Sequence, residues 1–341
     1  MSVVLEQIFQ VGFLAAILRI ATPLAFATLG EMFSERAGVL NLGIEGIMLL
    51  SAMTGFTAAY LSGSLWLGIA AAVLTGALMG ALHGALTVAL GLSQHVCGIG
   101  VTLFGTGLAY FLYRLIFGQQ STPPNIVGFK PVAIPFLSDI PVLGPAVFNQ
   151  FTLVYLAILA VPVSAFVLYR TPWGLSVRMV GENPRAADSA GVGVISTRMQ
   201  AVILGGALMG LAGAFLTMAQ FNAFTFGVVS GRGWVAIALV VFGRWDPWRS
   251  AGAALLFAFV DALQLRMQAA GLGHIPYEAF LMLPFVLTIV AMAFMSHNAV
   301  APTALLKPFR ERSGSFSPGA PWRGLPAIPV RKCRARDRAR R

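Results

Sequence analysis

The stretch Gly30–Leu50, GEMFSERAGVLNLGIEGIMLL, decides what kind of chain this is. It joins two apolar runs, yet it carries Glu31, Glu35, Arg36, Asn41 and Glu45. A charged side chain at mid-bilayer costs roughly 2.5–3.5 kcal/mol on insertion scales, so charges placed here need a reason. Two readings fit. Glu45, with apolar residues directly after it, can sit near the interface, reaching water or pairing with Arg36. Alternatively, the stretch is an unwound break in a membrane helix that lines a polar path.

The membrane setting follows from the whole chain. Its 341 residues are 57% hydrophobic and only 10% charged, with a mean hydropathy of +0.81. A soluble domain carries roughly a quarter charged residues. Apolar runs fall near 8–30, 43–62, 65–91, 95–117, 150–170, 198–219, 232–243, 250–270 and 277–296. Most reach the roughly 20 residues a helix needs to cross the hydrocarbon core, the seventh being short. The expected fold is therefore all-α, a polytopic membrane bundle of about 8–10 transmembrane helices with broken helices. Residues 1–300 form the membrane domain and 301–341 a basic, disordered tail. No signal peptide is visible, because the first apolar run lacks a basic flank and continues too long.

Basic residues orient the bundle. The segment 171–197 is flanked by Arg170 and Arg198 and holds Arg178 and Arg185, whereas the proline-rich loop 118–149 has only Lys130. The first is expected in the cytoplasm and the second outside, which puts the C-terminal tail inside. From Lys307 to Arg341, eleven basic residues stand against Glu311 and Asp337, so this segment supplies nine of the eleven net positive charges. Without aromatic interleaving it reads as a tail near anionic membrane lipid rather than a nucleic-acid surface.

Three further patterns matter. Gly76, Gly80 and Gly84, and Gly206 and Gly210, recur at four-residue spacing, which lets helix backbones approach closely in lipid; His83 among them is expected to be hydrogen-bonded in the bundle. The stretch Ala219–Gly243 places Asn222, Arg232 and Trp234 around three glycines and so forms a second break. The first four spans match the sixth to ninth with directions reversed, the pattern of an inverted repeat whose broken helices face each other. Finally, VGENPRAADSAGV (Val180–Val192) carries its own helix signals: Asn183 as N-cap, Pro184 at the first helical position and Gly191 as the closing residue. That helix, Asn183–Ala190, is too short to be stable alone. The chain lacks a phosphate loop, a metal-binding HExxH and a nucleophile elbow, so catalysis, cofactors and metal binding are not expected.

Taken together, GEMFSERAGVLNLGIEGIMLL, GENPRAADSAGV and GRGWVAIALVVFGRWDPW resemble the permease subunits of ABC importers for ribose and other simple sugars. The nearer likeness is to the branch tied to purine-nucleoside uptake through basic-membrane-protein-type binding lipoproteins. The similarity runs from about residue 20 to 296. It implies a bacterial cytoplasmic (inner) membrane location and cytoplasmic ABC ATPase subunits. It also implies a second permease subunit, identical or sibling, and an extracytoplasmic substrate-binding lipoprotein or periplasmic protein. It makes Gly181–Gly191 the segment that docks on the ATPase, with Glu182, Arg185 and Asp188 as polar rim and Ala186, Ala187 and Ala190 allowing close approach. Asn41, Glu45, Asn222, Phe224, Arg232 and Trp234 are expected to line the path, with Phe224 and Trp234 able to stack on a base. The tail beyond about residue 300 matches no pattern of that family. The rival reading is an ion-coupled secondary transporter of a small polar solute; a lipid-modifying enzyme would need a clustered nucleophile or metal ligands.

Overall fold

The computed structural model describes residues 11–118, 122–135, 138, 143–269, 282, 286 and 300–309, all within the compact unit Met1–Phe309. In chain order the elements are α1 Val11–Arg36, α2 Ile44–Ser62, α3 Leu65–Gly84, α4 Gln94–Phe117, β1 Val132–Ala133, α5 Leu143–Val147, β2 Asn149–Gln150 and α6 Thr152–Arg170. There follow α7 Pro172–Glu182, α8 Pro184–Ser189, α9 Val194–Phe215, α10 Arg232–Phe242 and α11 Pro247–Ala269. α3 and α9 each end in a wider π-helical turn, Ala85–Ala89 and Leu216–Gln220.

Among the described residues seven helices are long and apolar enough to cross a membrane: α1, α2, α3, α4, α6, α9 and α11, each matching one expected run. The seventh run is α10, with 11 residues. At 1.5 Å per residue it spans about 16 Å, half a hydrocarbon core. The run 277–296 lies outside the described residues apart from Met282 and Val286.

The half-length of α10 has a counterpart. After α1 ends at Arg36, the chain leaves the helix through residues 37–43 and starts α2 inside the bundle, with Ile44 fully buried. After Gln220, the chain again leaves the helix, runs non-helically to Gly231, and starts α10. The starts of α2 and α10 then meet head to head: a Cβ on Gly233 would lie 2.7 Å from the Glu45 backbone nitrogen. Two breaks of similar form, pointing their helix N-termini at each other, are what facing broken helices require.

The glycine pattern acts as expected. A Cβ on Gly76 would sit 2.2 Å from the Gly206 carbonyl oxygen, and one on Gly80 2.7 Å from that of Val202. α3 and α9 are thus in backbone contact, and any side chain at these positions separates them. Elsewhere on the surface Gly107 of α4 meets nothing within 4 Å. Gly76→Ala is therefore expected to lower the thermal stability of the purified chain sharply, by about 2 kcal/mol or more, as overpacked sites do. Gly107→Ala should leave it unchanged or slightly raised. A fluorescence-monitored melt in detergent checks both.

Candidate functional site

The first break is lined with side chains that answer its backbone. Arg198 Nε donates to the Ala37 carbonyl at 3.0 Å. Gln94 serves twice, donating Nε2 to Gly38 O at 3.3 Å and accepting the Leu40 N–H at 2.8 Å. His83 Nε2 donates to Leu40 O at 3.1 Å, which fixes the Nε2–H tautomer. Glu31 Oε1 accepts the Asn41 N–H at 2.8 Å, and Thr102 Oγ1 donates to Leu42 O at 2.8 Å. Asn41 Oδ1 accepts the Gly43 N–H at 2.9 Å, turning the chain into α2. Glu35 Oε2 accepts the Trp245 indole N–H at 2.5 Å, and Arg36 Nε donates to Trp245 O at 2.8 Å. The Glu31 and Glu35 carboxyls, one turn apart on α1, lie against each other.

Glu45 joins the two breaks. Its Oε1 accepts the Gly231 N–H at 2.8 Å and its Oε2 the Gly233 N–H at 2.9 Å. A residue in the first turn of α2 thus satisfies the orphan donors at the start of α10. The Arg36 partnership considered for Glu45 is not made, since Arg36 is engaged at Trp245. Arg232, next to these donors, turns Nη1 back to Val229 O at 3.1 Å and lies within electrostatic range of Glu45 and Asp261. Beyond this cluster runs a chain of touching rings: Phe224 and Phe226 against Tyr113, then Phe117, Phe56 and Tyr60, with centroids 5.2–6.2 Å apart. Tyr110 packs on Phe226, and its hydroxyl accepts the Gly227 N–H at 3.0 Å.

Of the six expected path residues, the structure brings Glu45 and Arg232 together and sets Phe224, fully buried, in the aromatic chain next to them. Asn41 is buried in the first break, its amide reaching Met209 Sδ at 3.9 Å. Asn222 lies at the other end of the second break, left-handed at φ 55°, its carbonyl accepting the Ile126 N–H. Trp234 is 45% exposed. Asp261 was missed although it is the one acidic residue inside the apolar run 250–270, which is the signal for an intramembrane functional group. Arg198, counted as a loop charge, is 1% exposed and serves the break instead; sequence position alone gave no sign of that.

The short capped helix after Asn183 forms as expected, and a second helix directly precedes it. Asn183 Oδ1 accepts the Ala186 N–H at 3.1 Å, Pro184 opens α8, and Gly191 closes it at φ 82°. Ala187 is buried with Val180 and Val194, while Glu182, Arg185 and Asp188 are exposed. α7 precedes it with the same signature, Thr171 Oγ1 accepting the Gly174 N–H at 3.1 Å before Pro172. The pair Thr171-Pro172 could have been read from the sequence as a second start signal. Gly181 is pressed against α1, where a Cβ would lie 2.0 Å from the Arg36 carbonyl oxygen. Residues 300–309, at the start of the segment read as tail, hold the other side. Ala304 N–H donates to Gly181 O at 2.9 Å, Thr303 Oγ1 donates to Glu182 O, and Lys307 O accepts from Arg198 at 3.1 Å.

Comparison with known proteins agrees with this architecture. Residues 13–292 match the family described as branched-chain amino acid transport system / permease component. The chain is 43% identical over 272 residues to the putative glucose ABC transporter permease protein TsgC13 of Haloferax volcanii, covering 79% of this chain and 81% of that protein. It is 36% identical over 294 residues to the guanosine ABC transporter permease protein NupQ of Bacillus subtilis, covering 83% and 92%. It is also 36% identical over 293 residues to the nucleoside ABC transporter permease protein NupC of Lactococcus lactis, with the same coverage. No solved structure matches the chain.

The Glu45 bridge can be weighed by substitution. Glu45→Ala leaves the Gly231 and Gly233 N–H groups without their acceptor, an expected loss of about 2–4 kcal/mol. Glu45→Gln keeps one acceptor oxygen and should lose about half as much. Thermal melts of the two variants in detergent should therefore order as wild type, Gln, Ala.

Proposed function

The chain belongs to this family of membrane permease components, and we propose that it forms a transmembrane subunit of an ABC importer for purine nucleosides. ATPase and substrate-binding components complete such an importer. The ATPase subunits would dock on α7 and α8 from the cytoplasm, a binding lipoprotein or periplasmic protein would deliver solute outside, and a second permease, identical or sibling, would complete the pathway. Of the 301–341 segment, residues up to 309 brace α7 in this reading, and the basic part beyond them is a cytoplasmic tail.

One observation carries the mechanism: the Gly181 backbone lies directly on the Arg36 carbonyl. A displacement of α8 that carries the end of α7 with it is passed at Gly181, without a compressible side chain, to the end of α1, where the first break begins. That break starts α2, whose Glu45 holds the N-terminus of α10, while Arg36 holds the far end of α10 through Trp245. ATP-driven movement of the coupling segment thus acts on both ends of α10 and favours alternating access by shifting the half-helices against each other. Glu45, Arg232 and Asp261 supply the polar centre of the path.

Nucleosides are favoured over other solutes by the aromatic chain from Tyr60 to Phe226, because a purine base stacks on such rings whereas a free sugar gains less. Guanosine and nucleoside permeases are among the relatives. A simple sugar is the second reading, favoured by the 43% identity to a putative glucose permease. Asn41, Asn222, Phe224 and Trp234 keep their proposed places along the route.

In proteoliposomes holding the assembled transporter, uptake of radiolabelled guanosine should require ATP. The triple variant Asn183→Ala, Pro184→Ala, Arg185→Ala should cut uptake at least about tenfold while ATP hydrolysis persists, because the cap and first turn that shape α8 are removed. Normal transport by the triple variant would overturn the coupling assignment. A cysteine at Ser189 should be shielded from an impermeant reagent added to intact cells, and labelling from outside would overturn the orientation.

A further inference from the structure

Where α10 ends, the chain makes an unusual turn. Arg244 and Trp245, neither of them glycine, adopt left-handed φ angles of 53° and 55°. Each costs of order 1–3 kcal/mol and persists only when its surroundings hold it. Trp245 is held by Glu35 and Arg36, as described. Asp246 is equally committed: its Oδ1 accepts the Trp248 and Arg249 N–H groups at 3.1 Å, and its Oδ2 accepts from the Tyr169 hydroxyl at 2.9 Å. That leaves the Arg244 and Arg249 side chains without a hydrogen bond or ion pair to any described residue.

Both arginines line one cavity of about 410 Å³, whose other walls are Phe242, Gly252, Ala253 and Leu256. Arg249, Gly252, Ala253 and Leu256 fall at i, i+3, i+4 and i+7, so they form one face of α11. Two guanidiniums stand at its mouth and an apolar trough runs from them along a membrane helix. Gly252 meets nothing within 4 Å, so the trough floor is open. Trp248 beside it is 60% exposed, as an aromatic side chain at headgroup depth would be.

We propose that this cavity is a binding site for an anionic phospholipid of the leaflet facing the coupling segment. The two guanidiniums would take the phosphate through charge-assisted hydrogen bonds, and an acyl chain would lie over Gly252 and Ala253 against Leu256. A lipid fits this site and a free phosphate does not, because most of the cavity lining is apolar and a phosphate ion has nothing to place there. Charge complementarity points the same way, since the cytoplasmic leaflet carries anionic lipid that attracts basic side chains. The site rests on the cavity and the two arginines, and on the proposed function only for which leaflet it faces.

Native mass spectrometry of the full-length chain in detergent, titrated with phosphatidylglycerol or phosphatidylcholine, tests the site. The basic tail is present in every variant, so only differences between variants count. Wild type should prefer phosphatidylglycerol, and Arg244→Gln with Arg249→Gln should weaken its binding by roughly tenfold or more, at about 1 kcal/mol per arginine. Gly252→Leu fills the trough without touching the charges, favours the helix and projects into open space, so it is expected to fold. It should weaken phosphatidylglycerol binding as well. Inorganic phosphate at millimolar concentration should not displace the lipid. Equal binding of the two lipids, unchanged binding in the double arginine variant, or displacement by phosphate together with an inert Gly252→Leu would each overturn the proposal.

Discussion

Inside a bilayer every backbone N–H and C=O must be answered by protein, because no water is there to do it. This chain leaves the helical path twice at membrane depth, and the buried Glu31, Asn41, His83, Gln94 and Arg198 follow from that. Each orphaned backbone group would cost several kcal/mol, comparable to or more than the roughly 2.5–3.5 kcal/mol of inserting a charged residue. A glutamate, an arginine or a histidine becomes tolerable when it removes such an orphan. Glu31, His83, Gln94, Thr102 and Arg198 come from four different helices, and each makes a bond to residues 37–42. They hold an unwound segment in place, and that is a sufficient reason for them without any chemistry.

Glu45 goes further because its two acceptor oxygens serve a different break. The N-termini of α2 and α10 both carry partial positive charge, about half a unit each, and they are pointed at one another. Alone they would repel. A carboxylate between them answers two donors directly and offsets both dipoles, so the head-to-head arrangement is held by one side chain. Glycine at 231 and 233 is part of the same solution, since a Cβ at 233 would collide with the Glu45 backbone. Any motion that parts α2 from α10 must first exchange these two hydrogen bonds for others, which makes the junction a natural place for a solute with hydroxyl or amide groups to intervene.

What could be read from the sequence was what depends on neighbours in the chain. The spans, the capped helix after Asn183, the glycine contacts and the two breaks all rest on local periodicity or on a few adjacent residues. The partners of the breaks could not be read, because Arg198 and Ala37 are 161 positions apart and Glu45 and Gly231 are 186 apart. Composition says that a charge in an apolar run needs a partner and leaves the partner unnamed. α7 and Asp261 were different. The Thr171-Pro172 start and the lone aspartate in the run 250–270 were legible, and the rules that found α8 and Glu45 apply to them unchanged.

The six residues of α8 could not hold a helix in water, so their surroundings have to supply the stability. Ala187 is its one buried side chain, seated against Val180 and Val194. Residues 300–309 brace the preceding turn through Gly181 and Glu182, and Arg198 ties that brace to the first break. The contacts that keep the short helix folded are therefore the same ones that connect it to the membrane interior. A longer, self-sufficient helix could move as an independent body on a flexible tether. A helix that folds only while docked cannot be displaced without either melting or carrying its supports with it, and its supports include the Arg36 carbonyl where the first break begins.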